Sequence, residues 1–147
     1  MAEQNTATAA PIVSLASLMT PSKTVTMDYP GIEGFKVQVC YLAREELLKV
    51  RNKCVKQKFN KKTRQFEDDL DENRFLTEYV KGVIKGWTGL KYANLGELLL
   101  VDVSAQNAED ELAYTQENAE VLMRNSNDFD TWITEVTGDL ENFTESK

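Results

Sequence analysis

The sequence predicts a mainly helical α+β domain, an N-terminal β-hairpin followed by four to five packed helices. Three stretches carry that expectation. Val25, Met27 and Tyr29, then Phe35, Val37, Val39 and Tyr41, alternate with polar residues on either side of Pro30-Gly31-Ile32-Glu33-Gly34. That is the period of half-buried strands around turn chemistry. Phe75, Leu76, Tyr79, Val80, Val83, Ile84 and Trp87 recur at helical spacing and give Asp71 to Trp87 one apolar face. Phe129, Trp132, Ile133, Val136, Leu140 and Phe143 repeat the pattern near the C-terminal end.

Taken in order, residues 1–22 are rich in Ala, Thr and Ser and lack sustained periodicity, which predicts a flexible N-terminal arm with an apolar segment at Ile12 to Met19. Residues 23–143 form the single hairpin-plus-helical domain, and 144–147 a short tail. After the hairpin, Arg44 to about Lys58 reads as a helix with Leu47, Leu48, Cys54 and Val55 on one stripe. Asn60 to Gln65 has no apolar residue and predicts an exposed loop. The acids Asp68, Asp69, Asp71 and Glu72 sit where a helix N-terminus favours negative charge, and Thr88-Gly89 ends that helix. Tyr92 to Leu100 reads as a short helix or a buried strand, with length and leucine content favouring the helix, and Asp102 to Leu112 as a loop. Thr115 is a good N-cap for a helix holding Ala119, Leu122 and Met123. Asn125-Ser126-Asn127 breaks that helix and offers caps for the last one. The expected core joins Phe75, Tyr79, Val83, Trp87, Phe129, Trp132, Ile133 and Val136. Trp87, Phe129 and Trp132 could instead line a groove, but each lies on its helix's apolar stripe, which favours core.

A chain of 147 residues usually makes one domain, and 41% hydrophobic content is enough for a core. No apolar run is long enough to span a bilayer, and Met1 to Thr20 lacks the basic region of a secretory signal. Cys40 and Cys54 therefore read as free thiols of a reducing compartment, Cys54 as core and Cys40 as a surface thiol. Net charge is −7, unevenly spread. Residues 44–64 hold nine basic side chains against Glu45 and Glu46, whereas 101–147 hold twelve acids against Arg124 and Lys147. Such a split suggests that the two regions meet different surfaces or each other, as in head-to-tail contacts between copies, with solvated helix faces as the plain alternative.

Catalytic chemistry finds little support. Histidine is absent, which removes the commonest proton-transfer group and imidazole ligand. The two cysteines form no CxxC pair. Asp69-Leu70-Asp71-Glu72-Asn73 starts like a calcium loop, but Arg74 and Val80 stand where glycine and a bidentate glutamate are needed. No glycine pattern forms a phosphate-binding loop. No catalytic, cofactor-binding or metal-binding residue is expected, and no cofactor. The basic stretch Lys49 to Arg64 invites a nucleic-acid reading, but Phe59 is its one aromatic and the chain is anionic overall, so no nucleic acid and no membrane are expected as partners.

The runs Tyr29-Pro30-Gly31, Tyr41-Leu42-Ala43-Arg44-Glu45-Glu46-Leu47, Leu70-Asp71-Glu72 and Ile84-Lys85-Gly86-Trp87-Thr88-Gly89-Leu90 resemble tail assembly chaperones of long-tailed (siphovirus-type) bacteriophages. So do Tyr114-Thr115-Gln116-Glu117-Asn118-Ala119, Phe129-Asp130-Thr131-Trp132-Ile133-Thr134-Glu135 and Asp139-Leu140-Glu141-Asn142-Phe143. The resemblance runs from about residue 21 to 143. It implies a non-catalytic protein of the host cell cytoplasm that binds the tape measure protein, keeps it soluble and helps deliver the tail tube protein. Self-association is a further expectation. The competing reading is a small structural tail component retained in the virion. The resemblance transfers no defined binding residues.

Overall fold

The computed structural model describes residues 12–20 and 22–144. In chain order its first elements are α1 (Leu15–Leu18), β1 (Ser22–Asp28), β2 (Lys36–Leu42), α2 (Arg44–Lys53), β3 (Val55–Asn60) and β4 (Gln65–Leu70). There follow α3 (Glu72–Val83), β5 (Ile84–Thr88), α4 (Tyr92–Leu95), α5 (Gln116–Asn125), α6 (Asn127–Gly138) and a 3₁₀ turn, Leu140–Phe143. The expectation of a mainly helical chain is overturned. Among the described residues, five strands in two antiparallel sheets accompany six α-helices, and all five strands precede residue 89, which makes an α+β fold.

The first hairpin forms as the alternation predicts, with Val25 opposite Val39 and Met27 opposite Val37. Its turn is closed by the Tyr29 N–H donating to the Phe35 carbonyl at 2.9 Å. The sequence reading missed its third strand. The helix expected to reach Trp87 stops at Val83, and β5 pairs antiparallel with β2, giving the order β1-β2-β5. Here Gly86 faces Gln38 and Ile84 faces Val39, so Lys85 is an extra residue without a register partner. In a regular strand, positions 84 and 87 point to opposite faces. The extra residue restores them to one face, and both Ile84 and Trp87 are buried. A bulged strand therefore reproduces the three-residue spacing that reads as a helix turn.

A second correction concerns Arg44 to Lys58. The helix ends at Lys53 and buries no residue, and Leu47 and Leu48 remain exposed. Val55 to Asn60 instead pairs with Gln65 to Leu70 in a separate two-stranded sheet, six residues against six. The polar stretch between them is exposed as expected, but as a hairpin turn, in which the Asn60 side-chain oxygen accepts from the Lys62 and Thr63 N–H groups. Tyr92 to Leu100 holds only the single helical turn of α4.

The helix caps follow the sequence. The Thr115 hydroxyl accepts from the Asn118 N–H at 3.0 Å, and the Ser126 hydroxyl accepts from the Phe129 N–H at 3.2 Å. Asp71 caps α3 through the Arg74 N–H. Side chains then tie the helices together. Thr77 donates to Glu120 at 2.8 Å, and Gln116 donates to the Thr77 carbonyl and to Glu120.

Phe129 is the centre of an aromatic cluster. It stacks on Phe35 at 6.3 Å between ring centres and lies 6.5 Å from Trp87 and 6.2 Å from Trp132. Of the expected core, Val83, Trp87, Phe129 and Ile133 are buried, whereas Phe75, Tyr79, Trp132 and Val136 are half-buried. Val80, Ile84, Phe35, Leu90 and Leu122 join them in the interior. Both thiols are free and buried. For Cys40 this corrects the expectation of a surface thiol. Cys54 is interior as expected, but it caps the end of α2 and does not lie on its stripe. Of the proposed arm, residues 1–11 and 21 lie outside the described residues, as do 145–147 of the tail. The described part, residues 12–20, exposes Ile12, Leu15, Leu18 and Met19.

Gly89 follows β5 with φ +81°, and a Cβ there would fall 1.9 Å from the Gly34 carbonyl oxygen. Gly89→Ala is expected to lose at least about 2 kcal/mol, because left-handed backbone alone costs a side-chain-bearing residue about 1–3 kcal/mol. Phe129→Ala should cost about 3–5 kcal/mol and the half-buried Trp132→Ala about 2 kcal/mol. Urea midpoints check both; equal losses for the two aromatics would contradict this packing.

Candidate functional site

The aromatic residues that could have lined a groove do not. Phe129 and Trp87 lie in the core, the Trp87 indole N–H donating to the Leu112 carbonyl at 3.0 Å. Trp132 is half-buried, edge-on to Tyr29 at 4.9 Å. The basic stretch is likewise divided, part of it on α2 and the rest on the second hairpin.

Two other surfaces emerge. The first is an open groove of about 180 Å³ between the segment after α4 and helix α5, lined by Leu95, Leu99, Val101, Leu112, Val121 and Leu122, with Asn118 as its polar member. Beside it Leu100 is fully exposed, and Val121 is 43% exposed. Four consecutive large apolar residues, Leu98 to Val101, cannot all face one core, and that run was the signal available in the sequence. Leu98 turns inward; Leu100 and Val101 stay outside.

The second surface is the β3–β4 hairpin. Cross-strand pairing places Val55, Gln57 and Phe59 on one face with Leu70, Asp68 and Phe66, and Lys56 and Lys58 on the other with Asp69 and Glu67. Phe59 and Phe66 meet edge to face at 5.3 Å, yet they are 48% and 69% exposed. The sequence signal for this hairpin was weak: Val55, Phe59, Phe66 and Leu70 flank an apolar-free loop, but Gln57 and Asp68 interrupt the alternation. The helical reading of residues 44–58 obscured it.

The shifted titrations move away from neutrality. Burial raises the Tyr29 phenol, with help from the carboxylates of Asp128 and Glu97, and burial raises Tyr114, whose hydroxyl donates to the Ile84 carbonyl. The hydrogen bond to Glu109 raises Lys91, and the Ser104 backbone and side chain lower Asp102. None of these four is tuned toward the pH range where general acids and bases work. Among the described residues no group of three or more His, Cys, Asp or Glu is placed to hold a metal ion, and no helix is long and apolar enough to cross a membrane.

A family model described as YdaY prophage protein matches residues 42–147. The chain belongs to that family. The protein is thus phage-derived, as the sequence resemblance implies at its coarser level. The matched region contains both surfaces of this prophage protein, while β1 and nearly all of β2 precede it. No curated protein and no solved structure matches the chain.

Because the two Phe side chains touch mainly each other, Phe59→Ser combined with Phe66→Ser should lower stability by less than about 1 kcal/mol. Urea unfolding followed by circular dichroism measures it. A loss as large as that of Phe129→Ala would mean that the hairpin is part of the core.

Proposed function

We propose that this prophage protein is a non-catalytic tail assembly chaperone. It acts in the host cytoplasm, holds apolar-striped helical segments of the tape measure protein and assists assembly of the tail tube. The groove between Leu95 and Val121 carries the reading. Its volume of about 180 Å³ suits one or two side chains projecting from a client helix, with Leu100 and Val101 extending the apolar contact along its edge. Phage origin and the resemblance of residues 21–143 to tail chaperones support the same conclusion. The absence of histidine, which removes the commonest proton-transfer group, is in keeping with a binding protein.

Co-expression with the tape measure protein of the same prophage tests it. The tape measure protein should become soluble, and a complex should persist in moderate salt with a negative heat-capacity change on binding. Val121→Asp and Leu100→Asp, both at exposed positions, should reduce the soluble yield while leaving the fold intact. Purified tails should lack the chain. Unchanged insolubility of the tape measure protein beside the intact chain would refute the proposal, and stoichiometric retention in tails would favour a structural tail component.

A further inference from the structure

We propose that copies of this chain associate head to tail, the β3–β4 hairpin of one copy seated on the Leu95–Val121 groove of the next. The hairpin needs a cover. A lone two-stranded sheet is marginal in water, and among the described residues this one has no further strand on either edge and leaves its aromatic pair exposed. Its own groove does not provide the cover, since hairpin and groove are both open in the same chain.

Charge selects the partner. The hairpin carries Lys56, Lys58, Lys61, Lys62 and Arg64 against three acids, Glu67, Asp68 and Asp69, all of them on its second strand. Across the strands Lys56 faces Asp69 and Lys58 faces Glu67, which leaves Lys61, Lys62 and Arg64 gathered at the turn beside the rings. The segment 92–123 that builds the groove carries seven carboxylates and no base. Two of them, Asp102 and Glu117, are exposed and adjoin the lining residues Val101 and Asn118. Seating the hairpin on the groove brings apolar side chains together and sets the basic turn against the acidic groove segment. Turn against turn, or groove against groove, sets like charges together. The contact joins two different surfaces, so it closes as a reciprocal pair or a larger ring, or continues as a chain. Nucleic acid suits the hairpin less well, because Glu67, Asp68 and Asp69 line its second strand and the whole chain is anionic.

On the chaperone reading, this contact caps the client groove until the tape measure protein displaces it. That consequence rests on the reading; the contact between copies does not.

The test uses the free full-length chain and two variants, Phe59→Ser with Phe66→Ser on the hairpin and Val121→Lys in the groove. The unaltered chain should gain mass with concentration in sedimentation at low salt, and high salt should weaken the association by about tenfold or more. Each variant alone should be a folded monomer. Mixed one to one, they should form a complex of two chains and no larger species, because only one intact hairpin and one intact groove remain. Should the hairpin variant fail to fold, Lys61→Glu with Lys62→Glu at the exposed turn replaces it with the same expectation. A monomeric unaltered chain, a hairpin variant that still associates, or a mixture that stays monomeric each overturns the proposal. So does a hairpin that binds single-stranded DNA in a chain that remains monomeric. None of these readings involves the tape measure protein, so failure here and failure of the chaperone reading are separate results.

Discussion

The fold depends on Ile84–Thr88 leaving helical geometry and pairing with β2. Without it the first hairpin would be two strands, too few to stand alone in water. With it, β2 becomes a central strand, and the bulge at Lys85 turns both Ile84 and Trp87 inward. Trp87 then meets Phe35 at 6.3 Å and Tyr114 at 5.1 Å, linking the sheet to the chain that enters α5. Gly89 matters for the same reason. Immediately after the strand the backbone must pass the Gly34 carbonyl, closer than any Cβ permits. One short strand thus sets where the sheet ends and where the loop toward the groove departs.

Local signals in the sequence were reliable where local chemistry decides the structure. The hydroxyls of Thr115 and Ser126 cap helices because each can accept a backbone N–H that the helix itself leaves unpaired. The turn at Pro30 to Gly34 formed because Gly31 and Gly34 reach φ of 93° and 86° freely. The failures were of another kind. Ile84 and Trp87 fit a helical stripe and a bulged strand equally well, and only pairing with β2 separates the two. Val55 to Asn60 offers no clean alternation, because Gln57 is polar, and its basic run is continuous with α2. Cys40 sits at an outward position of β2 yet is buried, which strand periodicity alone does not reveal. No residue of the groove was legible as a site, since it is assembled from segments separated by a polar loop. Only the surplus of apolar residues at 98–101 announced that something would remain outside.

The two hairpins show what covering a sheet requires. Both have alternating faces and turns of suitable chemistry. The first gained a third strand and the face of α6, so Val37 and Val39 are wholly buried. The second has neither, and its largest apolar residues stay in solvent. Nothing in its own pairing accounts for two phenylalanines at the tip, because a polar cross-strand pair would serve a solvated hairpin as well. Exposed aromatic area next to a cluster of cations has a physical rationale as a contact surface, and the complementary surface lies elsewhere on the same molecule.

On the proposed reading, the protein has to hold apolar helices without competing with their final assembly. A deep, enclosed cavity would bind tightly and release slowly. The shallow groove bounded by Leu95 and Val121 instead offers a few side-chain contacts, with Asn118 as its one polar lining residue. Few contacts mean fast dissociation, and affinity differences among related complexes lie mostly in that rate. In the proposed association the same groove takes the hairpin of a neighbouring copy, so a client helix and that hairpin compete for it. A shallow groove keeps the exchange easy in both directions, because neither occupant makes more than a few contacts. The uneven charge of the chain, with a basic turn on the second hairpin and acids around the groove, favours the neighbour's hairpin whenever no client is present.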